Sequence, residues 1–287
     1  MSETKNANIA AHLPAMAARE PEALAVAVQT ARGGASTYGR YTMAELNAAS
    51  DRIARGLERH GITRGMRAVL MVKPSLEFFA LTFGLFKMGA VPVLVDPGMG
   101  LRNLKTCLAE AKPEAFIGIP KAHVARLFLG WGKPTVKHFV TLGPRIGWGG
   151  KTLDALVNDV DDAPYDMAPS APEDMAAILF TSGSTGVPKG AVYTHAVFNT
   201  QVNILRKDYG IEAGERDLAT FPLFALFGPA LGMAAIVPDM DASKPAATNP
   251  EHIIQAIKDH QATNLFASPA LIEVVGRYGA ANNIKLD

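Results

Sequence analysis

Hydrophobic and polar positions fall in blocks along most of this chain. Ala68-Val69-Leu70-Met71-Val72 is a continuous apolar run of strand length. A run without polar alternation suits a strand covered on both faces, as in a parallel sheet. Before it, Leu46, Ala49, Ile53 and Leu57 recur at helical spacing. Thr42 and Glu45 stand where a capping box would start that helix, the hydroxyl accepting from one orphan N–H and the carboxylate from another. Gly61 supplies its stop. Beyond the run, a helix opens at Ser75 and ends at Gly89, followed by a strand over 91–95, a helix over 101–111 and a strand over 115–119. Strand and helix alternating in this rhythm predict right-handed crossovers and a doubly wound α/β fold with mostly parallel sheets.

Residues 161–172 interrupt the rhythm with three prolines, several acids and few large apolar side chains, which reads as a linker. The expected division is a first α/β subdomain over 1–165 and a second over 166–287. In the second, strands are expected at 176–180 and 190–193 on either side of a Gly-rich loop, with a helix from about Ala196. A helix over 250–260, striped by Ile253, Ile254 and Ile257, precedes a strand at 265–267 and a helix opened by Pro269. Residues 218–238 carry no charge and are long enough to span a bilayer. Pro222, Gly228, Pro229 and Gly232 would break such a helix. The expectation is a buried strand at 218–221, a loop, a short helix and a second strand ending near Pro238, with no membrane span.

Charge excludes one class of partner. Lys and Arg number 28 against 27 Asp and Glu, a net charge of +1. Nucleic-acid binding needs clustered positive charge against phosphates, so no nucleic-acid partner is expected. The single cysteine, Cys107, lies in a helical pattern beside Leu104 and Leu108 and reads as a buried structural thiol. No apolar run follows Met1 as a signal peptide would, and the expected location is cytoplasmic. The segment ending at Asp287 reads as the approach to another strand, and the expectation is a truncated chain.

The informative segment is Leu179-Phe180-Thr181-Ser182-Gly183-Ser184-Thr185-Gly186-Val187-Pro188-Lys189-Gly190. An apolar strand delivers the chain to glycines, which allow positive φ and close approach of backbone N–H groups to an anion. Thr181, Ser182, Ser184 and Thr185 add hydroxyl donors, and Lys189 adds a mobile cation. Together they suit a polyphosphate. A Walker A loop needs Gly-Lys followed by Ser or Thr at the start of a helix. Here Pro188 precedes the lysine, Gly190 follows it, and Ala191 to Tyr193 reads as strand.

This segment, with Thr194-His195 after it, resembles the phosphate-loop signature of the adenylate-forming superfamily, which includes acyl-CoA synthetases, luciferases and peptide-synthetase adenylation domains. Tyr41-Thr42-Met43-Ala44-Glu45-Leu46 and Phe86-Lys87-Met88-Gly89-Ala90-Val91-Pro92-Val93 resemble two earlier motifs of the same families, in the same order. Three further segments resemble the β-lactone synthetases of bacterial olefin biosynthesis. They are Pro92-Val93-Leu94-Val95-Asp96-Pro97-Gly98, Phe221-Pro222-Leu223-Phe224-Ala225-Leu226-Phe227 and Ile236-Val237-Pro238-Asp239-Met240-Asp241.

The resemblance implies the fold of the family's large N-terminal domain, with ATP and Mg2+ as cosubstrates. It also implies a long-chain 3-hydroxy fatty acid as substrate and leaves room for assembly with other olefin-pathway enzymes. It assigns Thr181, Ser182, Gly183, Ser184, Thr185, Gly186 and Lys189 to the ATP phosphates, with Lys189 and Thr185 closest to catalysis. Phe224, Ala225 and Phe227 become acyl-pocket candidates, although each phenylalanine fits an ordinary core position equally well. Many coenzyme A ligases carry a histidine where this chain has Ala225. His195 reads as a structural residue at a helix start rather than a ligand contact. The family's later motifs, for magnesium, ribose, hinge and C-terminal lysine, and its lid domain would lie beyond Asp287. The residues point to no metal ligand. A coenzyme A or carrier-protein ligase and an inactive nucleotide-binding fragment remain the alternative readings.

Overall fold

The computed structural model describes residues 6–32, 35–95, 99–181 and 189–286. Among the described residues, twelve strands run in chain order: β1 (Leu24–Arg32), β2 (Ala35–Thr42), β3 (Arg67–Met71), β4 (Val91–Val95), β5 (Ala115–Gly118), β6 (His138–Thr141), β7 (Lys151–Thr152), β8 (Met175–Thr181), β9 (Lys189–Thr194), β10 (Arg216–Ala219), β11 (Ala234–Val237) and β12 (Asn264–Phe266). They form a seven-stranded sheet in the order β7-β6-β5-β3-β4-β8-β9 and a five-stranded sheet in the order β12-β10-β11-β1-β2. Neighbours are parallel except β8 with β9 and β1 with β2. The fold is therefore α/β with mixed, mostly parallel sheets.

Each sheet belongs to its own compact unit. The first comprises Met1–Ala11, Asn47–Lys73 and Ala80–Gln201; the second comprises His12–Leu46, Pro74–Phe79 and Val202–Asp287. The seven-stranded sheet takes strands from both sides of residue 165, and the division is by sheet rather than at one point in the chain.

In the first unit, β3, β4 and β5 are the uninterrupted apolar runs of the sequence, and every residue of β4 and β5 is buried. The core on one face gathers Val69, Val93, Leu104, Leu108, Phe116 and Ile178. Cys107 lies in it, free and fully buried, and burial pushes its thiol pKa up. The helix Met43–Arg59 begins at the expected capping box: Thr42 N–H donates to Glu45 Oε2 at 2.8 Å, and Glu45 N–H donates to Thr42 Oγ1 at 3.2 Å. Its later turns, from Asn47, belong to the first unit and cross the helix Leu76–Lys87 at Gly84. An added Cβ at Gly84 would lie 2.8 Å from Ile53 Cγ2 and 3.1 Å from the Ser50 carbonyl oxygen.

Beside this crossing is a buried ion pair. Lys87 is 1% exposed, and its Nζ donates to Asp51 Oδ1 at 2.6 Å, Asn47 Oδ1 at 2.8 Å and the Asn47 carbonyl at 3.0 Å. Three acceptors match the three protons of an ammonium. Burial lowers the Lys87 pKa, and the Asp51 hydrogen bond and charge oppose that shift.

In the second unit, β1, β10, β11 and β12 are parallel around a core of Leu218, Ile236, Ile253 and Leu271. The uncharged stretch 218–238 is broken at its prolines and glycines as expected, but the first strand ends at Ala219 rather than Phe221 and the expected loop holds a helix of its own. It contains the end of β10, two four-residue helices (Pro222–Ala225 and Gly228–Leu231) and β11. Among the described residues no helix is long and apolar enough to cross a membrane. Asp217 is an exception within this apolar sheet. It is buried on β10, and desolvation raises its carboxyl pKa to about 6, partly offset by a hydrogen bond from the Phe266 backbone.

These buried groups have measurable consequences for stability. Asp51→Ala leaves Lys87 without its counter-ion and should cost about 3 kcal/mol of unfolding free energy in urea. Adding Lys87→Met should recover much of the loss, because the double variant buries no charge. For Asp217, the folded pKa lies above the unfolded value. Its stabilising contribution is complete below about pH 4 and is lost as pH rises through about 6. Asp217→Asn should match the wild type near pH 4 and exceed it by up to about 3 kcal/mol at pH 8. A stability difference independent of pH would contradict the assignment.

Candidate functional site

The Gly-rich loop closes the antiparallel hairpin of β8 and β9. The register pairs Thr181 with Lys189 and Phe180 with Gly190. Strand β8 lies beside β4, with Phe180 opposite Val95. The loop therefore leaves the carboxyl end of a strand in the parallel part of the sheet. Strand order reverses nearby: from β3 the chain first adds β4 on one side and then β5 on the other. In open α/β sheets, ligands bind outside the carboxyl ends of strands at such a reversal.

The element after the loop distinguishes this site from a P-loop. Residues 189–194 are strand, so no helix N-terminus faces the loop from its downstream side. Gly190 is required by packing. A Cβ there would lie 2.8 Å from Cζ of the buried Phe180 ring on the facing strand. The glycine of the motif's ending thus has a local cause, since it lets Phe180 lie across the hairpin, and Lys189 before it opens β9. Lys189 is exposed. Thr181 ends β8, while Ser182, Gly183, Ser184, Thr185 and Gly186 lie outside the described residues.

His195, the first residue of the helix His195–Asp208, is buried. Its Nδ1 accepts the Ile9 backbone N–H at 3.2 Å, and burial lowers its pKa. It is a structural tie between the helix start and the N-terminal segment, as its position in the sequence suggested.

The acyl-pocket candidates belong to the second unit. Strand β10 ends at Ala219, and Thr220 Oγ1 donates to the Phe266 carbonyl at 2.6 Å, joining the ends of β10 and β12. Phe224 is half-buried on the helix Pro222–Ala225, with its ring centroid 4.0 Å from that of Phe266 and 5.6 Å from that of Phe221. Phe221 and Phe266 are both substantially exposed. The three rings form an accessible aromatic cluster beyond the carboxyl ends of parallel strands. Ala225 is 1% exposed, and Phe227 is also buried, so both occupy core positions. Phe266 is absent from the candidates that sequence reasoning yields. Its only signal there is an aromatic residue closing a strand just before Ala267-Ser268-Pro269. Among the described residues, no group of three His, Cys, Asp or Glu side chains could hold a metal ion.

A donor-rich segment between strands, at the carboxyl ends of a mostly parallel α/β sheet, lies where such folds take their ligands. The chain belongs to the AMP-binding enzyme family, whose model matches residues 13–285. It is 52% identical over 276 residues to the olefin β-lactone synthetase of Stenotrophomonas maltophilia (strain K279a), an alignment covering 95% of this chain and 50% of that protein. It is 51% identical to the olefin β-lactone synthetase of Xanthomonas campestris pv. campestris, covering 95% of this chain and 49% of that one. The chain therefore spans about half the length of these relatives. Among solved structures, the N-terminal domain of FACL13 from Mycobacterium tuberculosis superposes with a TM-score of 0.80 over 98% of this chain and 67% of that one. At 22% sequence identity, this likeness concerns the fold.

Proposed function

We propose that this protein activates a long-chain 2-alkyl-3-hydroxy fatty acid as its acyl-AMP and closes it to a β-lactone. The observation that carries the reading is the 52% and 51% identity to two olefin β-lactone synthetases along 95% of the chain. The hairpin loop supports the nucleotide part.

A carboxylate is a poor electrophile because its leaving group would be oxide. Attack of the carboxylate oxygen on the α-phosphorus of ATP forms the acyl-phosphate bond and expels pyrophosphate. Positioning and charge neutralisation supply most of the catalysis in phosphoryl and nucleotidyl transfer. Lys189 would compensate negative charge on the β- and γ-phosphates, and Thr181, Ser182, Ser184 and Thr185 would donate to their oxygens, with Gly183 and Gly186 allowing close approach. Mg2+ bound to the nucleotide would offset phosphate charge. The β-hydroxyl of the same substrate then attacks the acyl carbon, loses its proton and displaces AMP. The nucleophile is tethered, so no second substrate has to be captured. The aromatic cluster around Phe224 would line the acyl chain, and Ala225 leaves out the histidine that many coenzyme A ligases carry there. A coenzyme A ligase of the same family is the alternative product chemistry.

In the full-length protein, Lys189→Ala combined with Ser182→Ala should lower acid-dependent ATP–pyrophosphate exchange at least tenfold, about 1.4 kcal/mol of transition-state stabilisation. Exchange at the wild-type rate would remove the loop from the mechanism. Incubated with ATP, Mg2+ and a long-chain 2-alkyl-3-hydroxy acid, the protein should release AMP without coenzyme A and yield a four-membered lactone visible by NMR. Strict dependence on coenzyme A, with a thioester as product, would replace the lactone reading.

A further inference from the structure

The helix Pro120–Leu129 packs Ala122, Ala125 and Leu129 on the core, yet buries two polar side chains and exposes large apolar ones. Its polar side chains His123 and Arg126 point inward, while Val124, Leu127 and Phe128 point outward, Leu127 at 55% and Phe128 at 86% exposure. The inward groups are held in place. His123 Nε2 lies 3.0 Å from the Val140 carbonyl, its ring stacks on Trp148, and Arg126 lies 4.1 Å over the Phe139 ring. Rotating the helix to hide Phe128 would expose these contacts. The apolar outer face is therefore a fixed feature of the first unit.

Charge along this stretch of the chain is one-sided. Between Glu114 and Asp154 the chain has Lys121, Arg126, Lys133, Lys137, Arg145 and Lys151 and not one Asp or Glu, although the whole chain carries a net charge of only +1. Apart from Arg126, all of these basic residues are exposed. Ile146, in the same stretch, is 72% exposed. The stretch builds β5, β6 and β7, one end of the seven-stranded sheet, together with the helix against them.

Exposed large apolar side chains on a stretch, 115–153, that carries cations and no acid of its own match an anionic bilayer surface. Headgroups pair with the lysines, and apolar side chains enter the acyl boundary. A protein partner or a second copy would gain from the apolar face but gives no reason for the absence of acids. We propose that this edge of the protein docks on anionic lipid membranes, with Leu127 and Phe128 inserted and Lys121, Lys133 and Lys137 among the headgroups. Docking of this kind is peripheral and does not depend on which acid is activated.

The test is co-sedimentation of the full-length protein with phosphatidylglycerol vesicles and with phosphatidylcholine vesicles, at low and at physiological salt. The expected result is partition onto phosphatidylglycerol that falls with salt and is at least tenfold weaker on phosphatidylcholine. Leu127→Ser with Phe128→Ser, and separately Lys133→Glu with Lys137→Glu, should each reduce that partition at least fivefold. Both variants replace exposed side chains and should keep wild-type thermal unfolding and pyrophosphate exchange. If the apolar variant does not fold, the charge variant carries the test. Failure of the wild type to bind either vesicle would overturn the proposal, as would unchanged binding by the folded variants. Loss in the apolar variant of a concentration-dependent oligomer, without vesicle binding by the wild type, would assign the face to a second copy instead.

Discussion

Lys87 places a full positive charge in the interior of the first unit, and the surrounding residues meet the demands of that charge. An ammonium removed from water is tolerated only when its protons are satisfied and a counter-ion is close. Asp51 and two oxygens of Asn47 supply both conditions from one helix. The helix that carries Lys87 is thereby fixed in register against the helix that carries Asp51, and Gly84 lets the two backbones approach. The end of the Lys87 helix is tied on its other side as well. Asn8 Nδ2 donates to the Phe86 carbonyl at 2.7 Å, and the Ala168 N–H donates to the Lys87 carbonyl at 2.8 Å. These bonds join the N-terminal segment, the segment before β8 and the crossover into β4 at one point.

The hairpin inherits this order. Strand β4 begins four residues after Lys87, β8 pairs with β4, and β9 pairs with β8. At the far side of the hairpin, His195 accepts the Ile9 N–H, close in sequence to the Asn8 that caps the Lys87 helix. The strands that present the Gly-rich loop are thus tied, at the end away from the loop, into one polar network.

The helix Pro120–Leu129 at the other end of the same sheet obeys a related constraint. His123 and Arg126 occupy interior volume that apolar side chains usually fill, using stacking and cation–π contacts with Trp148 and Phe139. The apolar side chains displaced from that interior lie outward. The core of the unit is closed without them, which leaves that face available for contact with something outside the fold.

Much of the architecture was legible in local patterns. The capping box at Thr42 and Glu45 started its helix, the β4 run and the helices 101–111 and 250–260 fell on their expected residues, and the proline and glycine breaks divided the uncharged stretch. Each depends on neighbours a few residues apart, where backbone sterics and periodicity act directly. Strands β1, β2, β6 and β7 and the helix Pro120–Leu129 are elements that those patterns do not reveal. Strand β2 alternates with tyrosines and polar residues at a sheet edge, and the helix points polar residues inward, so neither shows the expected apolar period.

By itself the sequence determined the order and kind of most elements and the donor-rich composition of the loop. Only the tertiary structure decided that strands on both sides of residue 165 share one sheet, that β1 lies beside β11, and that Phe266 joins Phe224 beyond the strand ends. The reason is physical. Periodicity records what each residue needs from its near neighbours, while strand partners are chosen by burying whole faces against segments far away in the chain.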